Sequence, residues 1–127
     1  MSDFSALGVM VALAIANSFL VVLLDRWVHH RADGIVSGAF RGVQVPVTHR
    51  RRELQVGFVT NGGGLVAMEG VLAFAWVLIG KSAGVEGLRL LANLIAFLNA
   101  MMALGWALTL PTYYRHLASI LREAEAD

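Results

Sequence analysis

Apolar residues along this chain are gathered into three long runs separated by shorter polar segments. The runs cover residues 5–27, 55–80 and 88–110. At about 1.5 Å of rise per helical residue, each run is long enough to cross the roughly 30 Å hydrocarbon core of a membrane. We therefore predict an all-α integral membrane protein in which residues 1–127 form a single domain with three transmembrane helices.

The polar segments predict an inner loop at residues 28–54 and a tail at residues 112–127. Pro111 lacks an N–H and crowds the preceding turn, so we expect the third helix to stop or kink there. We expect the tail to form a short amphipathic helix. We expect the loop to contain an amphipathic segment that ends at Pro46. The apolar faces of these two segments comprise Val36, Phe40, Val43 and Val47 in the loop, and Tyr113, Leu117, Ile120 and Leu121 in the tail.

The basic residues predict the orientation of the chain in its membrane. Of the ten Lys and Arg residues, only Lys81 and Arg89 lie in or beside the connection between the second and third runs, and the others lie in or beside the loop and tail. Cytoplasmic segments carry an excess of Lys and Arg. We therefore expect a bacterial inner (cytoplasmic) membrane, with the N-terminus outside and with the loop and C-terminus in the cytoplasm.

Composition narrows the possible functions further. The chain is 57% hydrophobic and 15% charged, and it contains no cysteine, which excludes disulfides and thiolate metal ligands. No glycine-rich phosphate loop or nucleophile elbow is present, and no nucleic-acid-binding pattern accompanies the basic residues. Arg50, Arg51 and Arg52 instead form a basic collar beside the second run. We predict that this collar binds anionic lipid headgroups or serves only as an orientation signal.

Glu69 is the most informative residue, because it lies near the middle of the second run. A carboxylate at this depth costs at least about 2.5 kcal/mol unless it meets a partner, a cavity or an ion path. Under the predicted topology, Asn17 and Asn99 lie at nearly the same level. Glu69 could bind a proton or cation, or it could be a neutral acid or a partner-paired ion that fixes helix register. The sequence leaves both possibilities open.

A second group of candidate residues lies toward the inner end of the second helix. Asn61 is followed by Gly62, Gly63 and Gly64, which could unwind the helix or let a ligand, lipid or neighbouring backbone approach closely. Asp25 on the first helix is expected at the same depth, so an Asp25–Asn61 contact is one interpretation. We favour the other, which is ordinary helix packing at small residues.

The histidines are candidates for a metal or haem site. All four fall on the predicted inner side, and neutral imidazole binds divalent metals or haem iron. No established metal-binding spacing occurs among them, so we predict no cofactor and keep haem or a divalent metal as an alternative. The four residues are His29, His30, His49 and His116.

Small residues recur at helical spacing in all three runs, and such stripes are typical of close helix contacts in membranes. On the first helix the stripe comprises Gly8, Ala12 and Ala16. We therefore favour a non-catalytic integral subunit that packs against and stabilises a larger membrane protein complex. Its expected partners are membrane lipids with anionic headgroups and other membrane subunits or copies of itself. The alternatives are a homo-oligomeric channel or transporter that uses Glu69, and a metal- or haem-binding redox subunit.

Overall fold

The chain folds into helices joined by short connections. The computed structural model describes residues 2–40 and 47–126, and no strand occurs within those ranges. A π-helical segment joins the second helix to the third without a break. The elements are α1 (Asp3–Phe40), α2 (Val47–Gly57), the π-helical segment (Phe58–Gly62), α3 (Gly63–Ser82) and α4 (Glu86–Ala126).

Three helical stretches of the described chain are long and apolar enough to cross a membrane, which confirms the predicted all-α membrane fold. They extend over Phe4–Ser37, His49–Ser82 and Glu86–Glu123. The stretch α2, π-helical segment and α3 runs antiparallel to α4, because Gly80 lies against Ala92 at one end and Gly62 against Leu110 at the other. Helix α1 runs parallel to α4.

Helix α1 is longer than the predicted span, which corrects the proposed loop at residues 28–54. The helix continues to Phe40 because Val28, Ala32 and Val36 recur every four residues and bury one face in the core. Charged residues on the exposed faces obscured this pattern in the hydropathy of the sequence. The predicted loop positions Val43 and Pro46 lie outside the described residues.

Helix α4 likewise passes through Pro111 as one continuous helix, so the tail is not a separate element. Proline removes one backbone hydrogen bond, but the residues on either side of it are held by tertiary contacts. Leu110, Tyr114, Leu117 and Leu121 are all buried in the same core cluster as Val28 and Leu54. The burial of this face outweighs the local cost of proline.

The basic residues that the structure describes divide between the two ends of the bundle. The parallel α1 and α4 bring Arg26, Arg31 and Arg115 to the end that also carries α2, whereas Lys81 and Arg89 lie at the opposite end. The bundle therefore has one strongly basic end. Its orientation across a membrane stays a prediction.

Candidate functional site

A hydrogen-bonded polar layer crosses the bundle interior. Asn17 Nδ2 donates to Asn99 Oδ1 at 3.3 Å, so the structure brings together two of the three predicted midplane residues. Trp76 Nε1 donates to Asn17 Oδ1 at 3.2 Å, and Asn99 Nδ2 donates to the Ile95 carbonyl at 3.0 Å. The two amides therefore link α1, α3 and α4 without the help of Glu69.

Trp76 is a member of this layer that the sequence reasoning missed. It follows Glu69 by seven residues, so the two side chains lie on the same face of α3 two turns apart. An indole N–H donates but does not accept, and it needs a partner when it is buried. That requirement, together with the spacing from Glu69, was the signal available in the sequence.

We expect the Asn17–Trp76 hydrogen bond to couple two helices by about 0.6 kcal/mol, with an upper value of about 1.7 kcal/mol, as for other hydrogen bonds within membranes. A double-mutant cycle with Asn17→Ala and Trp76→Phe, read by unfolding in detergent, measures this coupling. Trp106→Phe is the matched control, because the buried Trp106 Nε1 has no hydrogen-bond partner among the described residues. Equal coupling of Asn17 to both tryptophans would contradict the assignment.

Glu69 is enclosed by its own chain and stands apart from the amide pair. Its side chain is 0% exposed, and neither carboxyl oxygen has a hydrogen-bond partner among the described residues. The antiparallel register places Glu69 opposite Ala103, one helical turn from Asn99. An ion without hydrogen bonds is far more costly to bury than a neutral carboxylic acid, so this environment favours the neutral form.

A second polar cluster joins α1 to α4 near the basic end. Asp25, His29 and Asp33 are spaced four residues apart on α1, and the His29 ring lies 4.7 Å from the Tyr113 ring and 5.7 Å from the Trp106 ring. The Tyr113 hydroxyl donates to Asp33 Oδ1 at 2.5 Å. This contact holds the part of α1 that was expected to be a loop.

Within this cluster, His29 and Asp25 form a local pair. His29 Nδ1 is hydrogen-bonded to the Asp25 carbonyl oxygen at 2.8 Å. The same nitrogen is 2.9 Å from Asp25 Oδ1, but that carboxyl oxygen has no hydrogen-bond partner of good geometry among the described residues. Asp25 therefore contacts His29, one turn away, rather than the candidate partner Asn61.

The other predicted metal ligands lie apart from this cluster. His49 Nε2 is 3.0 Å from Glu53 Oε1, and His30 and His116 are exposed. Among the residues that the structure describes, no group of three or more His, Cys, Asp or Glu side chains is close enough to hold a metal ion. The histidines thus make pairwise contacts or face outward.

The π-helical segment ends at Gly62, the first of the three glycines after Asn61, and the next two glycines begin α3. Such segments are frequently found at functional sites. Gly62 is buried, and a Cβ placed there would lie 3.4 Å from Leu110 Cδ1. Gly63 and Gly64 are exposed, and a Cβ at either would have nothing within 4 Å. One glycine therefore allows close packing on α4, while the next two leave an open surface.

The predicted basic collar does not form one surface, because successive helical residues point about 100° apart. Arg50 is only 4% exposed, whereas Arg52 is exposed. Headgroup binding by these arginines stays a prediction. Arg51 borders a cavity of about 630 Å³ together with Arg115 and Tyr114. Arg52 borders a different cavity, which also contains Arg31 and Asn61.

The Arg51 cavity continues along α3 into a second one. The second cavity has a volume of about 460 Å³, and the two share Phe58, Val59 and Pro111. Together they form a groove between the π-helical segment and α4, which we call the Arg51 groove. Volumes in this range are typical of ligand sites.

Comparison of the chain with models of protein families, with curated proteins and with solved structures finds no match.

Proposed function

We propose that this protein is a non-catalytic integral membrane subunit that packs against and stabilises a larger membrane protein complex. The observation that carries the proposal is the outward position of the small-residue stripe on α1. Gly8, Ala12 and Ala16 are all exposed, and a Cβ on Gly8 would have nothing within 4 Å. Such stripes allow another helix backbone to approach closely.

The geometry of α1 shows why its own bundle cannot use this stripe. Met10, Asn17 and Val21 lie on the face that packs against the rest of the chain. The stripe lies on the opposite side of the helix at 100° per residue. By contrast, the small residues Ala92 and Ala96 of α4 are buried within the bundle. The α1 stripe is thus available for another chain.

The limited internal packing supports the same proposal. In the most apolar 18-residue stretch of each spanning helix, only 11%, 28% and 17% of residues are buried, with the smallest share on α1. Helices in lipid associate through close packing and hydrogen bonds rather than through a hydrophobic driving force. A partner that packs along α1 would supply contacts that the chain alone lacks.

The position of Glu69 bears on the alternatives. The Glu69 side chain is 0% exposed within the single chain, so it presents no carboxylate on the outer surface of the bundle. The alternative function, a homo-oligomeric channel that uses Glu69, gains no support from this position. The subunit proposal needs no exposed carboxylate, because its contacts lie on α1.

We expect Ala12→Leu to release the protein from its complex while leaving the chain folded. The larger side chain keeps a partner helix from the stripe, so recovery of co-purifying polypeptides should fall about tenfold, which corresponds to roughly 1.4 kcal/mol of lost contact. Native mass spectrometry after mild solubilisation from the host membrane measures the associated chains. A far-UV circular dichroism spectrum checks the fold.

Val11→Leu is the matched control, because Val11 is exposed on α1 but lies about 100° from Ala12. It should retain the partners of the wild-type protein. Recovery of a pure homo-oligomer from the wild-type membrane would overturn the proposal. So would equal partner retention by the Ala12→Leu and Val11→Leu variants.

A further inference from the structure

The Arg51 groove changes from basic to apolar along its length. Arg51 and Arg115 border one end, and the other end is lined by glycine and apolar residues that include Val66 and Trp106. We propose that this groove binds one anionic glycerophospholipid. Its phosphate lies at the two arginines, and one acyl chain follows the apolar end. This inference is independent of the subunit proposal.

The basic end is suited to a phosphate because its two arginines come from different helices. Arg51 belongs to α2 and Arg115 to α4, and the described residues that line this cavity include no acidic one. Guanidinium groups bind phosphate oxygens through two parallel hydrogen bonds. Two arginines from different helices that line one cavity therefore provide charge complementary to a single phosphate.

The neighbouring cavity that contains Arg52 is less suited to an anion. It also holds His49 and Glu53, whose side chains are 3.0 Å apart, and the carboxylate offsets part of the positive charge. Polar Thr60 and Asn61 line this cavity, whereas the Arg51 groove is lined by glycine and apolar residues at the same level. The combination of net positive charge and an apolar extension distinguishes the Arg51 groove.

The apolar end has the length of one lipid leaflet. From Phe58 to Ala67 the groove follows nine helical steps, or about 14 Å. Half of a hydrocarbon core of roughly 30 Å is about 15 Å. A lipid with its phosphate beside Arg51 could thus lay one acyl chain along this stretch while staying in its own leaflet.

Small residues keep this part of the groove open. Gly63 and Ala67 face it from α3, and a Cβ on Gly63 would meet nothing within 4 Å. A larger side chain at Gly63 would occupy the space that we assign to the acyl chain. This gives a test of the apolar end that leaves the charge of the chain unchanged.

The proposal is tested by native mass spectrometry of the full chain in mild detergent, titrated with dioleoylphosphatidylglycerol or dioleoylphosphatidylcholine. We expect one phosphatidylglycerol per chain to be retained in preference to phosphatidylcholine. The Arg51→Gln/Arg115→Gln variant should bind phosphatidylglycerol at least about tenfold more weakly, because each basic residue contributes to the attraction of an anionic lipid. Gly63→Leu should weaken retention to a similar extent.

The control variant is Arg52→Gln/Arg122→Gln, which loses the same charge at two exposed residues outside the groove. It should bind phosphatidylglycerol as the wild-type chain does. Inorganic phosphate should not displace the lipid, because it cannot fill the apolar end. The thermal melting of each variant establishes that the compared chains are folded, and Arg51→Lys/Arg115→Lys supplies a charge-conserving pair if the glutamine pair unfolds.

Three results would each overturn the proposal. The first is equal retention of the two lipids by the wild-type chain. The second is an equal loss of phosphatidylglycerol in the groove pair and the control pair, which would indicate nonspecific attraction to net charge. The third is unchanged lipid binding by Gly63→Leu.

Discussion

Gly80→Leu is expected to lower the free energy of unfolding by about 3 kcal/mol, the upper part of the usual range for overpacking. Gly80 is buried where α3 crosses α4, and a Cβ there would lie 2.9 Å from Asn93 Oδ1 and 3.4 Å from Ala92 Cβ. The Asn93 side chain can rotate away, but Ala92 and the Arg89 carbonyl oxygen, 3.5 Å distant, cannot. Reversible unfolding in detergent measures the loss.

Gly70→Leu is the matched control for this substitution. Gly70 lies on the same helix, but a Cβ there would meet nothing within 4 Å. Its effect on unfolding should stay within about 0.5 kcal/mol, as for most surface substitutions. Gly80→Ala should fall between the two, because rotation of Asn93 relieves its closest contact. Equal losses for the two leucine variants would contradict the assignment of the effect to the helix crossing.

The three membrane-length helices could be predicted because hydropathy summed over about 18 residues depends little on tertiary contacts. The true ends of α1 and α4 could not. The apolar face of α1 is buried because Val28, Ala32 and Val36 pack against α2 and α4. Charged residues on the other faces lower the average hydropathy of this stretch and so mask the apolar face in the sequence. Local chemistry at Pro111 favoured a break, and tertiary packing overrode it.

The candidate site was also only partly predictable. Depth arguments placed Asn17 and Asn99 at one level, and the structure joins them by a hydrogen bond. The depth of a residue does not say toward which side of its helix the side chain points, however. It therefore could not show that Trp76 rather than Glu69 is hydrogen-bonded to Asn17. For the same reason three consecutive arginines looked like one collar, although a rotation of about 100° per residue sends them to different surroundings.

Glu69→Met is expected to raise the free energy of unfolding by about 2 kcal/mol. The carboxyl group is fully buried, and neither oxygen accepts or donates a hydrogen bond among the described residues. The chain therefore bears the desolvation cost of a polar group, about 1–3 kcal/mol, with no hydrogen bond to offset it. A methionine of similar shape removes that cost, and its flexible side chain can adapt to the space.

Two control variants test whether removal of the unpaired carboxyl group causes the gain, rather than a site that accepts any side chain. Glu69→Gln keeps a polar group without a partner, so its stability should remain within about 1 kcal/mol of the wild-type value. Asn99→Leu should instead destabilise the bundle, because it removes the acceptor of the Asn17 Nδ2 hydrogen bond. If Glu69→Met lowered stability while Glu69→Gln did not, the carboxyl group would have to be bound by a water, an ion or another chain. Glu69 would then have a role in the protein through that contact. A gain in stability for Glu69→Met would instead mean that the buried acid destabilises the fold.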